Sequence, residues 1–156
     1  MFIDYQRWLK ETLISGTIAS LVMMPFGFLF KLFDLRVGHY GPKLAALLFG
    51  AEPSQFLLFL QHLVIGWIST LPLLIILVRL HTLNAPVTIG AIYGFIYYVA
   101  VNSLALPLFF GDLTPWQIGL NTIYPSVVVH LVFGVSIGLT ARSFIIDTLT
   151  QQSRNS

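Results

Sequence analysis

The stretch PSQFLLFLQHLVIGWISTLPLLIILVR, from Pro53 to Arg79, decides the fold of this chain. It contains no charged residue before Arg79. A transmembrane α-helix needs about 20 consecutive, mainly apolar residues, and this run is longer than that. Because backbone groups in lipid must pair within their own segment, the run predicts a membrane-spanning helix.

The composition of the whole chain agrees with this prediction. Of its 156 residues, 56% are hydrophobic and only 9% are charged, whereas about a quarter of the residues in a soluble domain are charged. The chain has no cysteine, which excludes a disulfide framework and thiolate metal sites. Its net charge of +2 and the lack of a basic run argue against a nucleic-acid partner.

Three further apolar runs resemble the first and predict four spans in total. We expect helices at about residues 12–32, 55–79, 87–109 and 125–144, with Pro125 at the start or at a kink of the last one. They would form a single membrane domain over residues 1–156, with residues 145–156 as a polar C-terminal tail. The predicted fold class is therefore an all-α integral membrane protein with four transmembrane helices.

An internal repeat predicts how the four helices are arranged. HLVIG occupies His62 to Gly66 in the second span, and HLVFG occupies His130 to Gly134 in the fourth. Small residues four apart open the first and third spans, and a Phe-Gly pair followed by an acid, a proline and a glutamine precedes the second and fourth. The common order of these features predicts two helical hairpins that are parallel repeats, related by an axis along the membrane normal.

The small residues also predict close helix packing. Residues four apart share a helix face, and small side chains let helices approach closely in lipid. The predicted packing positions are Gly16, Ser20, Gly66, Gly90, Gly94, Gly134 and Gly138.

A second group of side chains is expected to form a polar layer inside the membrane. Counting at 1.5 Å per residue places the two histidines at a similar depth in the half of the bundle away from the termini. Groups of this kind at membrane depth usually face the bundle interior or a polar cavity. The expected members of the layer are His62, His130, Asn102, Met24 and Tyr98.

The layer has three interpretations. The histidines fix helix packing through hydrogen bonds, or they handle a proton or a substrate, or they ligate a haem or a metal ion as a pair. We favour the first, expect no cofactor and no metal, and keep a haem or metal at His62 and His130 as the alternative.

Two other motifs resemble functional sites. GVSIG, from Gly134 to Gly138, matches the Gly-x-Ser-x-Gly elbow of hydrolases, but it lies inside a predicted helix, so Ser136 is assigned no catalytic role. In the loop after the first span, Lys43 to Phe49 predicts a short amphipathic segment on the membrane surface. A solvated loop is favoured there, and binding of lipid phosphate is the alternative for Arg36, His39 and Lys43.

The second half of the chain, GAIYGFIYYVAVNSLALPLFFGDLTPWQIG through HLVFGVSIGLTARSF, resembles the YagU-like group of small bacterial inner-membrane proteins. The resemblance rests on LTP, on the His-Leu-Val of the last span and on the basic residue that ends that span. It implies a four-helix inner-membrane protein with cytoplasmic termini and an undefined biochemical role. It supplies no catalytic residues.

The sequence therefore predicts a non-enzymatic inner-membrane protein with an accessory or assembly role. A small ligand- or proton-handling protein that acts as an oligomer is the first alternative, and a bis-histidine haem or metal protein is the second. The expected partner is the lipid bilayer, and the sequence leaves open a homo-oligomer or other membrane subunits.

The orientation of the chain can be tested directly. More basic residues flank the side of the termini than the opposite side, which favours cytoplasmic termini. A reporter fused after Arg142 should therefore give a cytoplasmic signal, and one inserted within residues 112–121 an external signal. The opposite pair of signals would reverse the orientation. The basic residues on the terminal side are Arg7, Lys10, Arg79, Arg142 and Arg154, against Lys31, Arg36 and Lys43.

Overall fold

The computed structural model describes residues 4–35, 37, 40–50, 53–80 and 85–154, and every regular element in these ranges is helical. α4, a π-helical segment and α5 follow one another without a break. The elements are α1 (Tyr5–Leu32), α2 (Tyr40–Phe49), α3 (Gln55–Arg79), α4 (Pro86–Tyr97), the π-helical segment (Tyr98–Ala105), α5 (Leu106–Phe110), α6 (Pro115–Ile118), α7 (Leu120–Thr140) and α8 (Arg142–Arg154).

Four helices in the described ranges are long and apolar enough to cross a membrane: Tyr5–Leu32, Gln55–Arg79, Pro86–Phe110 and Leu120–Thr140. The predicted all-helical fold with four such helices is confirmed.

The first and last of these helices begin earlier than expected. α1 begins before its apolar run because the Asp4 side chain caps it, accepting the backbone N–H of Arg7 at 3.2 Å. α7 begins at Leu120, so Pro125 lies inside the helix rather than at its start.

The C-terminal segment departs from the expected polar tail, because it forms α8 up to Arg154. Phe144 and Ile145 are buried in the core. The Trp8 ring meets the Phe144 ring edge to face at 5.0 Å, and Arg7 pairs with Asp147 at 3.0 Å. A few apolar residues within a polar composition are enough to dock this helix on the end of the bundle.

The long helices pack unevenly. α1 lies between α3 and α7, and α4 packs closely along α7. α3 and α4 make much less contact. Tyr93 and Tyr97 bridge them, since the Tyr93 hydroxyl donates to the Ser69 carbonyl at 2.7 Å and the Ser69 hydroxyl donates to the Tyr97 hydroxyl at 2.9 Å. The bundle is therefore open on the α3–α4 side and closed elsewhere.

The two closest helix crossings are built on small residues. A Cβ added to Gly134 would overlap the carbonyl oxygen of Gly90, and one added to Gly94 would overlap that of His130. The backbones of α4 and α7 thus touch directly. α1 and α3 cross in a similar way, because a Cβ on Gly66 would overlap the hydroxyl of Ser20. All seven predicted packing positions are buried.

The π-helical segment has a local cause. Pro107 has no N–H, and its ring would clash with the carbonyl of the residue four positions earlier. The helix widens before it, and the Leu106 N–H bonds to the carbonyl of Val101, five residues back. Tyr98 and Asn102 belong to this segment and border the open side of the bundle.

The close contact between α4 and α7 predicts the effect of substituting its glycines on the stability of the fold. Gly134→Ala should lower the stability of the fold by about 1–3 kcal/mol, since the added methyl meets a backbone carbonyl that cannot rotate away. Gly134→Leu and Gly138→Leu should cost more. The measurement is a thermal melt in detergent.

Gly27→Ala is the matched control for this prediction. It lies within α1, and a Cβ there would meet nothing nearer than a Val37 methyl at 3.7 Å. The added methyl should be neutral or stabilise the helix by up to about 1 kcal/mol. Equal melting temperatures for Gly134→Ala and the wild type would contradict the observed backbone contact.

Candidate functional site

A cavity of about 580 Å³ lies on the open side of the bundle, in the half away from the termini. α2 and α3 form one wall, and the π-helical segment with α6 and the start of α7 forms the other. Its size falls in the range of small-molecule sites, which is about 300–1,000 Å³. Apolar side chains make up most of the lining, with a few polar groups between them.

The predicted polar layer lies at this cavity. Four of its five members border it: Met24, His62, Tyr98 and Asn102. The fifth, His130, contacts it through neighbours, since its ring stacks on Tyr97 at 5.8 Å and lies 5.8 Å from the ring of Tyr98. Side chains that lie at similar distances along their helices are therefore also close together in space.

The hydrogen bonds of His130 determine its tautomer. Its Nδ1 lies 2.6 Å from the Ser126 carbonyl, which can only accept, so Nδ1 carries the proton. Its Nε2 therefore accepts from the Asn102 amide nitrogen at 2.7 Å. In the neutral ring this arrangement directs the Asn102 amide nitrogen toward Nε2. The carbonyl oxygen of Asn102 has no hydrogen-bond partner among the described residues.

His62 is held differently. Its Nε2 donates to the carbonyl of Ser20 on α1 at 3.1 Å, so a neutral ring leaves Nδ1 as an acceptor. Nδ1 has no hydrogen-bond partner in the part of the chain that the structure describes, and the half-buried side chain borders the cavity. The two histidines occupy matching places in their motifs but have different partners.

Sequence reasoning missed Gln61, which precedes the first histidine. Its amide nitrogen donates to the Gly41 carbonyl of α2 at 3.1 Å, which leaves its carbonyl oxygen buried without a partner. The hydroxyl of Tyr98, whose side chain is 0% exposed, also has no partner. A glutamine inside an uncharged span was the available signal for this site.

α2 covers the end of the cavity. It corresponds to the amphipathic segment expected after the first span, and it begins at Tyr40 rather than Lys43. Lys43 pairs with Asp112 at 2.7 Å, and Tyr40 stacks on Phe110 at 5.9 Å. Lys43 is thus engaged by a carboxylate rather than left in a solvated loop. Arg36 and His39, which were grouped with it, lie outside the described residues.

The geometry offers little to a metal ion or a haem iron. No group of three His, Cys, Asp or Glu side chains comes together among the described residues. A ligating imidazole needs a free nitrogen lone pair, and His130 uses both nitrogens within the protein. Its hydrogen bonds support the interpretation that this residue fixes helix packing.

Ser136 is placed as expected for a packing residue. It is buried, and its hydroxyl donates to the Val132 carbonyl one turn earlier at 2.7 Å. Because His130 is bonded to Ser126 and Asn102, it is not paired with Ser136 as a base. The Gly-x-Ser-x-Gly pattern here belongs to the helix crossing.

Comparisons with known proteins identify no relative of this chain. No family model matches the chain, no curated protein matches it, and no solved structure matches it.

The contact between Asn102 and His130 can be measured by a double-mutant cycle. His130→Leu should cost about 1–3 kcal/mol of stability, because it leaves the half-buried amide of Asn102 unpaired. Asn102→Leu should cost a similar amount, and the double variant clearly less than the sum of the two. Detergent melts of the four proteins give the coupling energy.

His62→Leu serves as the comparison within this experiment. It removes one hydrogen bond of 3.1 Å rather than two shorter ones, so it should destabilise the protein less than His130→Leu. Additive effects of Asn102→Leu and His130→Leu would show that the two side chains do not interact in the folded protein.

Proposed function

We propose that this protein is a multi-pass membrane protein that binds a small molecule in the cavity between α3 and the π-helical segment. The observation that carries the proposal is a set of four polar side chains on the wall of an otherwise apolar cavity, each of which keeps a polar atom without a partner among the described residues: Gln61, His62, Tyr98 and Asn102. A small number of such groups in an apolar wall is typical of ligand sites, where they set orientation and specificity.

Membrane insertion is supported by the surface of the bundle. Large apolar side chains remain exposed along the long helices, as at Phe28 (66%), Phe56 (69%) and Leu108 (74%). A soluble monomer rarely exposes a continuous apolar surface of this extent. The excess of basic residues beside the termini and the resemblance to the YagU-like group support a bacterial inner membrane with cytoplasmic termini. In that orientation the cavity opens in the outer half of the bilayer.

We also propose that the bundle is a duplicated hairpin. Gly66 packs on Ser20 and faces Gly16 across the α1–α3 crossing, as Gly134 packs on Gly90 and Gly94 across the α4–α7 crossing. His62 contacts the backbone of Ser20, and the backbone of His130 contacts Gly94, the matching residue of the second unit. The matched contacts support a common origin for the two hairpins.

Binding is favoured over a purely architectural role by where the helices separate. A protein whose only task is to hold helices together gains from filling the space between α3 and α4 with apolar side chains. Here that space is left open and lined by Gln61, His62 and Asn102. Among the described residues that line the cavity there is no hydrogen-bonded pair of nucleophile and base, so we propose binding without chemistry.

The test blocks the cavity with a large side chain. Leu58 borders the cavity, whereas Leu60, two residues along α3, is exposed on the outside of the bundle. Native mass spectrometry would count adducts with three matched probes: 4-pentylphenol, 4-pentylanisole and 4-pentylbenzoate. Leu58→Trp should lose binding of every probe that the wild type retains, by at least about tenfold, and Leu60→Trp should keep it.

Two results would contradict the proposal. Equal adduct levels in the two tryptophan variants would place binding outside the cavity. A wild type that retains none of the three probes, in protein shown to be folded by its melt, would remove the support for a small-molecule site.

A further inference from the structure

We infer that the ligand of this cavity is a neutral amphiphile whose polar end carries a hydrogen-bond donor, such as a hydroxyl group. The inference rests on the proposed binding function and adds the chemical class of the ligand. It follows from the direction of the hydrogen bonds around the cavity.

Three side chains each donate an N–H hydrogen bond within the protein and retain an acceptor atom without a partner in the described part of the chain. Gln61 gives its amide N–H to the Gly41 carbonyl, and His62 gives its Nε2–H to the Ser20 carbonyl. Asn102 gives its amide N–H to His130, whose own proton is fixed on the other nitrogen. The amide and imidazole orientations are therefore not interchangeable. What remains is Gln61 Oε1, His62 Nδ1 and Asn102 Oδ1, all acceptors.

The hydroxyl of Tyr98 complements these acceptors. It is buried and without a partner, and its side chain borders the same cavity. A phenol can donate or accept. A ligand hydroxyl could donate to one of the three acceptors and accept from Tyr98, whereas an ether oxygen could only accept and would leave the acceptors unpaired.

The charges around the cavity exclude ionic head groups from its interior. No aspartate or glutamate is among the described residues that line it, so a cation would lack a counter-charge. A carboxylate placed beside the three acceptors would face lone pairs rather than N–H groups. Lys31, the one lysine among the described lining residues, is exposed in the last turn of α1. A neutral polar end fits the interior best.

The remaining walls accommodate an apolar body. Leu58, Phe59 and Ile65 of α3 face Val101 and Leu106 across the cavity. Burial of an acyl, prenyl or aryl group against these side chains would supply most of the binding free energy. The polar end would set its orientation.

The three probes separate these possibilities, since they share a pentylphenyl body and differ at one end. 4-Pentylphenol offers a donor, 4-pentylanisole offers only an acceptor, and 4-pentylbenzoate carries a charge. Titrated into the protein in nanodiscs of phosphatidylcholine, the phenol should bind about tenfold more tightly than the anisole, which is the gain from one well-placed hydrogen bond. The benzoate should bind more weakly than the phenol.

Substitution of the acceptor side chains tests whether they cause the preference for the phenol over the anisole. Gln61→Met, His62→Leu and Asn102→Leu each replace one acceptor with an apolar side chain, so at least one of them should reduce the ratio of phenol to anisole affinity and leave anisole binding unchanged. Gln151→Met, on the exposed face of α8, is the control and should preserve the wild-type ratio. Melts would confirm that each variant is folded.

The outcomes distinguish the two proposals. If the anisole binds as tightly as the phenol, or the benzoate binds most tightly, the inference about the ligand is overturned while the cavity remains a binding site. A preference for phenol that survives in all three of Gln61→Met, His62→Leu and Asn102→Leu would also overturn it. Failure of all three probes would instead contradict the proposed function itself.

Discussion

The backbone contact between α4 and α7 is the constraint on which the rest of the structure depends. Gly90, Gly94 and Gly134 leave no space for a side chain between these helices, so the peptide groups of one rest on those of the other. Dispersion and close packing replace the hydrophobic effect as the cohesive force when the surroundings are as apolar as the helices themselves. Once α4 is fixed against α7 in this way, Asn102 lies within hydrogen-bonding distance of His130. The same contact draws α4 toward α7 and away from α3, and the cavity opens on that side.

The widening of the helix before Pro107 completes the site. Tyr97 and Tyr98 both border the cavity and contact the ring of His130. Tyr98 begins the π-helical segment, and such segments often occur at functional sites. The π-helical segment disturbs the helical hydrogen bonds only locally, since the N–H of Leu106 donates to the carbonyl of Val101.

Much of this arrangement could be predicted from the sequence because it depends on periodicity. The number of long helices follows from uncharged runs, and the buried small residues follow from their spacing of four. The proximity of His62, Asn102 and His130 follows from the rise per residue. Other features depend on contacts between distant segments, which have no period. The docking of α8 through Phe144, the cover formed by α2 over Gln61, and the direction of each amide and imidazole are set by the partner that happens to lie opposite. No pattern within one helix contains that information.

The polar groups at the cavity are costly for a protein that only needs to be stable. A buried group that lacks its hydrogen bond costs about 1–3 kcal/mol, and the oxygen of Gln61 and the hydroxyl of Tyr98 are both in this position. Leucine and phenylalanine would have filled the same volumes without that cost. The α4–α7 crossing shows that the same chain packs tightly where packing alone is required. Stability therefore explains the glycines but not the unpaired acceptors around the cavity. A ligand that donates to those acceptors would explain them. Its hydrogen bonds would offset the free energy that is lost when folding removes the acceptors from water.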